Sequence, residues 1–322
     1  MSDASAPAGQ PLSRPRLDIV DLARGLALLA MFVFHFAYDL SSFRLIDFDV
    51  QAEAGWRWFA RLIAGSFLIL VGVSLVLATR HGLNRQAYLK RLAMVAAAAG
   101  LVTLATFLAM PQSFIFFGIL HQIALASVLA LPFLRLPTFA VAVAALVVFA
   151  MPALVTHPIL DQPALLWLGL SRTPVVSADF VPAFPWFGCV LAGIVLARLA
   201  LPRLESSRLA AWLPKALPAR LVVGGGRHSL LVYLIHQPVF IATLSLVAFL
   251  VPAPVKEGNA FQIMCERSCT AQAAADICAR ACACTVETLK REQLLGRAVG
   301  NSLTPPETKR IGEIARACSP GH

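Results

Sequence analysis

Charge is what this sequence has least of. Only 14% of its 322 residues are Asp, Glu, Lys or Arg, against about a quarter in soluble domains. Hydrophobic residues make up 58% and mean hydropathy is +0.75. A soluble fold of this size cannot hide so much apolar surface, so the excess must face lipid and the chain is an integral membrane protein. GxGxxG, P-loop and zinc-protease signatures are absent, which removes the sequence evidence for dinucleotide, nucleoside triphosphate or zinc-hydrolase chemistry. No internal repeat is visible, and none of the inverted symmetry of transporter folds. A cleavable signal peptide is also lacking: MSDASAPAGQPLSRPR is polar and reads as a disordered cytosolic leader over residues 1–16. The net charge of +10 is no nucleic-acid signal, because in membrane proteins Lys and Arg report orientation.

What is there instead is a series of apolar runs, each needing roughly 20 residues to cross a bilayer. Seven are expected, near 18–40, 57–79, 92–110, 114–134, 138–156, 183–201 and 228–251. The fold class is therefore all-α, a polytopic membrane helix bundle over 17–251 followed by a small disulfide-rich helical tail over 252–322. With the N-terminus inside, the cytosolic side carries Arg14, Arg16, Arg24, Arg80, Arg85, Lys90, Arg91, Arg135, Arg198, Arg203, Arg208, Lys215, Arg220 and Arg227. The far side carries only Arg44, Arg57, Arg61 and Arg172 before the tail, together with Asp39, Asp47, Asp49, Glu53, Asp161 and Asp179. This bias predicts a multi-pass inner-membrane protein with a cytoplasmic N-terminus and a periplasmic tail.

Cysteine is nearly missing from the first 250 residues, where Cys189 stands alone. The other six, Cys265, Cys269, Cys278, Cys282, Cys284 and Cys318, all fall in the tail. An even cluster in a small polar segment reads as disulfides, which form in an oxidising compartment. Cys265/Cys269 and Cys278/Cys282 are i,i+4 pairs, so two short antiparallel helices can be stapled by two bridges. Zinc is the rival reading, but Cys-x3-Cys is unusual spacing for it and the tail's only His is His322. No metal is expected.

The first span carries the densest polar set. In DIVDLARGLALLAMFVFHFAYDL, the residues Asp21, Arg24, Leu28, His35 and Asp39 fall within about 60° of one another on a helix. Arg24 and His35 are separated by roughly 16 Å along the axis, one at the inner interface and the other deep in the bilayer. Asp39 follows His35 by one turn and can orient its imidazole. Arg24 is equally readable as a positive-inside anchor, and a buried His as an interhelical hydrogen-bond partner. Further buried polar groups are His121 and Gln122 in GILHQIALA, at a depth comparable with His35, and Ser229, Tyr233 and His236 along one face of the last span. For His121 and His236, packing and catalysis weigh equally. His228 reads as an interfacial residue, Trp186 as part of the aromatic belt and Asp179 as a loop carboxylate.

Three blocks carry a resemblance. RLDIVDLARGLALLAMFVFHFAYDLSSF is similar to the opening of bacterial membrane proteins related to the heparan-alpha-glucosaminide N-acetyltransferase catalytic domain, and DFVPAFPWFGCVLAGIVLA and GRHSLLVYLIHQPV resemble that group's later motifs. Arg24-x10-His35 is also similar to the Arg-x10-His signature of the acyltransferase-three membrane proteins. The resemblance covers roughly residues 16–251. It implies transfer of an acyl group from cytosolic acetyl-CoA, or another acyl-CoA, to a glycan-like acceptor on the far side. His35 is then the catalytic histidine and Arg24 a partner for CoA. With fewer spans than the eukaryotic enzymes and a cysteine-rich tail outside the likeness, the acceptor does not carry over.

On this reading CoA phosphates meet Arg24, Arg80, Arg85, Arg91 and Arg227. His35 acts as general base or as a transient acyl carrier. Asp39, His121 and His236 complete the catalytic candidates, and Tyr38, His121, Gln122 and His236 are possible oxyanion donors. The competing class is a proton-coupled small-molecule transporter that uses the same buried His and Asp as a relay.

Overall fold

The computed structural model describes residues 17–43, 45–46, 49–80, 82–155, 157–208, 212–250, 257–270, 274–299 and 303–319. The leader over 1–16, with Arg14 and Arg16, lies outside them, as do Arg44, Asp47 and His322. All regular structure among the described residues is helical: α1 (Asp18–Ser42), α2 (Ala54–Thr79), α3 (Arg85–Ala109), α4 (Ile119–Leu129), α5 (Thr138–Leu154), α6 (Ala183–Glu205), α7 (Leu217–Arg227), α8 (Ser229–Leu250), α9 (Glu257–Cys269), α10 (Ala275–Arg291), α11 (Leu295–Val299) and α12 (Pro305–Ala317). The protein is a multi-pass membrane helix bundle with a disulfide-bonded helical tail.

Five helices, α1, α2, α3, α6 and α8, are long and apolar enough to cross a membrane. The other two expected spans differ from the sequence reading. In place of a continuous 114–134 span, α4 has 11 residues and rises only about 16 Å. Gly118 starts it in extended conformation, and Pro132 opens a separate 3-10 turn over Pro132–Leu134. α5 has 17 residues, about 26 Å, and α7, absent from the expected spans, occupies part of the 202–227 connection.

The chain packs as two units. The first comprises residues 1–35 and 54–238, the second residues 36–53 and 239–322. In the first, α2 and α6 meet backbone to backbone. A Cβ on Gly72 would stand 2.1 Å from the Val190 carbonyl oxygen, and one on Gly193 would stand 2.1 Å from that of Ile69. This approach buries Leu68, Val71, Leu75, Val190, Leu191 and Ile194 in one cluster, which α5 completes with Val141, Ala145 and Val148. The same device joins α1 to α7, where Cβ atoms on Gly25 and Gly226 would strike the carbonyl oxygens of Val222 and Asp21. Small residues at helix contacts are the usual membrane solution, because lipid gives no hydrophobic drive to association and close packing must supply it.

In the second unit, Cys265–Cys282 and Cys269–Cys278 staple α9 antiparallel to α10, and Cys284–Cys318 ties α10 to the end of α12. Leu289, Leu294, Leu295 and Ile314 form a small core there, with Phe261 and Ile311 against it. α12 begins with a capping box in which the Thr304 N–H and hydroxyl both donate to Glu307, at 2.9 and 2.8 Å. The expected pair of stapled helices is thus present. The third bridge compensates for a core too small to hold the unit alone.

Candidate active site

Polar groups of the first unit gather at three levels. At the N-terminal end of α1, Arg24 donates to Asp21 and to the Ser74 hydroxyl, both at 2.5 Å. Arg227, at the end of α7, reaches Asp18 at 2.7 Å and Asp21 at 3.6 Å. Asp18 and Asp21 are buried, so two carboxylates compensate two of the cations that the sequence reading assigns to CoA. Arg80 is also paired, its second amino group donating to Glu205 at 2.6 Å, which links the ends of α2 and α6. Arg85 opens α3 on the exposed surface.

Arg91 stands differently. It lines a cavity of about 240 Å³ between α2, α3 and α4, whose other polar walls are Ser74, Asn84, Tyr88 and Ser127. The Tyr88 hydroxyl donates to the Ser127 carbonyl at 2.9 Å and fixes one wall. Ser74, which receives Arg24, fixes another. The cavity is smaller than the roughly 300 to 1,000 Å³ of pockets for drug-sized ligands.

At the second level lie the two histidines of α1 and α8. The rings of His35 and His236 meet edge to face, with centroids 4.9 Å apart. Phe32 stacks on His236 at 5.6 Å, and Phe34 meets His35 at 5.5 Å. His236 Nδ1 lies 2.5 Å from the Tyr233 carbonyl. A carbonyl only accepts, so Nδ1 carries the hydrogen and Nε2 the lone pair of the neutral ring. His35 Nδ1 is buried and has no hydrogen-bond partner among the described residues. Asp39 follows one turn later on α1, within the second unit, and is 3% exposed.

The third level surrounds the start of α4. The Gly118 N–H donates to His121 Nδ1 at 3.3 Å, so the hydrogen sits on Nε2, which lies 3.1 Å from the Thr103 hydroxyl. Thr103 in turn donates to the Ile115 carbonyl at 2.7 Å. Both His121 nitrogens are therefore engaged in holding the 110–118 turn. Asp179, in the connection before α6, accepts the Ile119 N–H at 2.8 Å and so caps α4 from another segment of the chain. Withdrawal from water pushes its carboxyl up to about 6, with the Ile119 N–H acting the other way. Nothing local in the sequence marks this cap, since 60 residues separate the partners.

The structure thus brings together His35 and His236, and separately Arg24, Arg227 and Ser74. It sets His121 with Thr103 and leaves Arg80 and Arg85 on the exposed surface. Gln122, on α4, is fully enclosed.

No curated protein and no solved structure matches this chain. The family described as Heparan-alpha-glucosaminide N-acetyltransferase, catalytic, matches residues 16–238, which include every group of the three levels. That match spans more than half of the chain, and it covers the His35–His236 pair and the Arg24 cluster together. The chain belongs to the heparan-alpha-glucosaminide N-acetyltransferase catalytic family and is a membrane acetyltransferase.

Proposed function

We propose that the protein moves an acetyl or other acyl group from acyl-CoA, bound at the Arg24–Arg91 end, to a glycan-like acceptor on the opposite side of the membrane, with His35 at the point of transfer. The observation that carries this is the His35–His236 pair: two imidazoles in contact with Phe32 and Phe34, one with its tautomer set by a backbone carbonyl and the other with a buried ring nitrogen that meets no hydrogen-bond partner among the described residues. Buried polar groups are ordinarily hydrogen-bonded, and an exception among ionisable residues inside a membrane is where function is sought first.

The chemistry balances without a metal or redox partner. As base, neutral His35 takes the proton of the acceptor hydroxyl or amine while that atom attacks the thioester carbonyl. The C–S bond breaks and CoA leaves with the proton. As carrier, the imidazole attacks the thioester carbonyl, the C–S bond breaks and CoA leaves with the ring proton; the acceptor then attacks the acyl-imidazole, the N–acyl bond breaks and the acceptor's proton returns to the ring. His236 acts on His35 by ring contact, and His121 by holding the turn before α4. For the donor, Arg91 is the cation on the cavity wall. Arg24 and Arg227 act with Asp18 and Asp21 to shape that end, and Arg80 and Arg85 add surface charge that draws in a polyanion.

The test uses purified full-length protein with radiolabelled acetyl-CoA and periplasmic glycan fractions. His35→Ala is expected to lower turnover by at least 10²-fold, the scale of a lost general base, while CoA binding persists. Arg91→Ala is expected to raise KM with a smaller effect on kcat, because it removes a charge-assisted phosphate contact. Equal turnover by wild type and His35→Ala overturns the assignment. Proton-coupled solute flux in vesicles without any acyl-CoA binding transfers the site to the transporter class.

A further inference from the structure

Between Pro202 and Arg227 the sequence places five cations and a single carboxylate. The carboxylate, Glu205, receives Arg80, and Arg227 is taken by Asp18 and Asp21. Arg203, Arg208, Lys215 and Arg220 remain. All four are exposed, and none forms an ion pair with another described residue. Arg203 donates only to the Leu199 carbonyl, at 2.9 Å.

Leucines stand among these charges. Leu213, Leu217 and Leu221, four residues apart, are 68%, 65% and 67% exposed. Leu217 and Leu221 lie on α7, about 40° apart around the helix. The buried side of α7, Val223 and Gly226, is roughly opposite them. α7 packs on α1, where a Cβ on Gly226 would meet the Asp21 carbonyl and one on Gly25 that of Val222. The helix thus has two apolar sides, one packed on the bundle and one exposed.

Depth decides what covers the exposed side. With 11 residues, α7 is about 16 Å long, half the hydrocarbon core of about 30 Å, so it does not cross the membrane. Its contacts on α1, Asp21 and Gly25, fall near the start of a helix of 25 residues, which at about 37 Å spans the whole core. α7 therefore lies at the boundary between acyl chains and headgroups. An apolar face edged by cations at that level fits phospholipid, with leucines among the upper acyl chains and Lys and Arg on the phosphates. Four cations without a balancing carboxylate select a headgroup of net negative charge.

We propose that Arg203, Arg208, Lys215 and Arg220, together with Leu217 and Leu221 of α7, bind anionic phospholipid of the leaflet at the start of α1. None of these residues lines the Arg91 cavity, and the surface does not depend on the acyl-CoA reading.

The experiment titrates full-length protein in detergent with phosphatidylglycerol and with phosphatidylcholine of the same acyl chains, counting bound lipids by native mass spectrometry. Wild type is expected to bind phosphatidylglycerol about tenfold more tightly. Lys215→Gln combined with Arg220→Gln is expected to lower that preference at least about threefold. Arg85→Gln combined with Lys90→Gln removes the same charge from α3 and is expected to leave the preference intact. Leu217→Ser combined with Leu221→Ser should weaken both lipids alike and keep their ratio. Equal binding of the two lipids by wild type overturns the proposal, as does an equal loss of preference in the α3 variant, which would mean general charge attraction. A lowered Tm in the Lys215 and Arg220 variant with the preference intact would assign those residues to packing. Displacement of phosphatidylglycerol by CoA or inorganic phosphate at the same concentration would make the surface a site for soluble anions, and likewise defeats the lipid assignment.

Discussion

At the scale of single residues, polar groups were legible in the sequence as a set, but their individual roles were not. The stripe Asp21, Arg24, His35 and Asp39 follows from 3.6-residue periodicity alone. That Arg227 reaches Asp18 and Asp21 does not, because 209 residues separate Arg227 from Asp18. The same holds for Asp179, which reads in the sequence as an ordinary loop carboxylate and in the structure caps α4.

Asp179 also yields a signed pH dependence. Its folded pKa of about 6 lies above the ordinary value near 3.9, so the folded state holds the proton more tightly than the unfolded one. Its contribution to stability is fully present below the unfolded pKa and is lost as pH rises through the folded value. Asp179→Asn keeps an acceptor for the Ile119 N–H and removes the titration. Tm measured in detergent from pH 4 to 7 is expected to fall with pH more steeply for wild type than for Asp179→Asn. The variant should be the more stable by up to about 3 kcal/mol at pH 7. Parallel curves would show that the carboxyl titrates with its ordinary pKa.

At the scale of elements, hydropathy located every long helix but misjudged α4, because an apolar run of the right length says nothing about where the backbone stays helical. The Gly118 start and the Pro132 stop are local signals, and they cut the run to less than the thickness of a bilayer core. Helix contacts were the least legible feature. Gly72 and Gly193 read as unremarkable glycines in apolar runs, yet each lets the α2 and α6 backbones touch. Gly193→Ala puts a methyl where the Ile69 carbonyl stands, an overlap that only separation of the helices relieves. It is expected to cost about 1–3 kcal/mol and to lower Tm accordingly. Gly100→Ala, on α3 where a Cβ meets nothing within 4 Å, should leave Tm unchanged or slightly raised. Equal Tm losses for the two variants would mean that the α2–α6 contact is not as close as described.

At the scale of the whole molecule, two features independently bear on orientation: the Arg and Lys bias between loops, and the chemistry of the tail. Three disulfides among α9, α10 and α12 hold a unit whose apolar cluster among the described residues is four leucine and isoleucine side chains with Phe261, Ile311 and Cys318 against it, and small domains of this kind generally need such staples. Bridges of this kind persist in an oxidising compartment and are reduced in the cytosol, which is the ground for proposing an extracytoplasmic tail. The nested pairing also sets what reduction does. Opening Cys265–Cys282 and Cys269–Cys278 frees α9 from α10, and opening Cys284–Cys318 frees α12. Non-reducing peptide maps should therefore recover those three linked pairs. In intact cells, a membrane-impermeant thiol reagent should label the tail after mild reduction, and a protease should then remove it. The match to the acetyltransferase family ends at residue 238, before the tail begins, so the clipped protein is expected to retain acyl-CoA binding. Labelling that requires permeabilising the inner membrane would place the tail in the cytosol and reverse the direction of acyl transfer. Loss of acyl-CoA binding on clipping would make the tail part of the donor site.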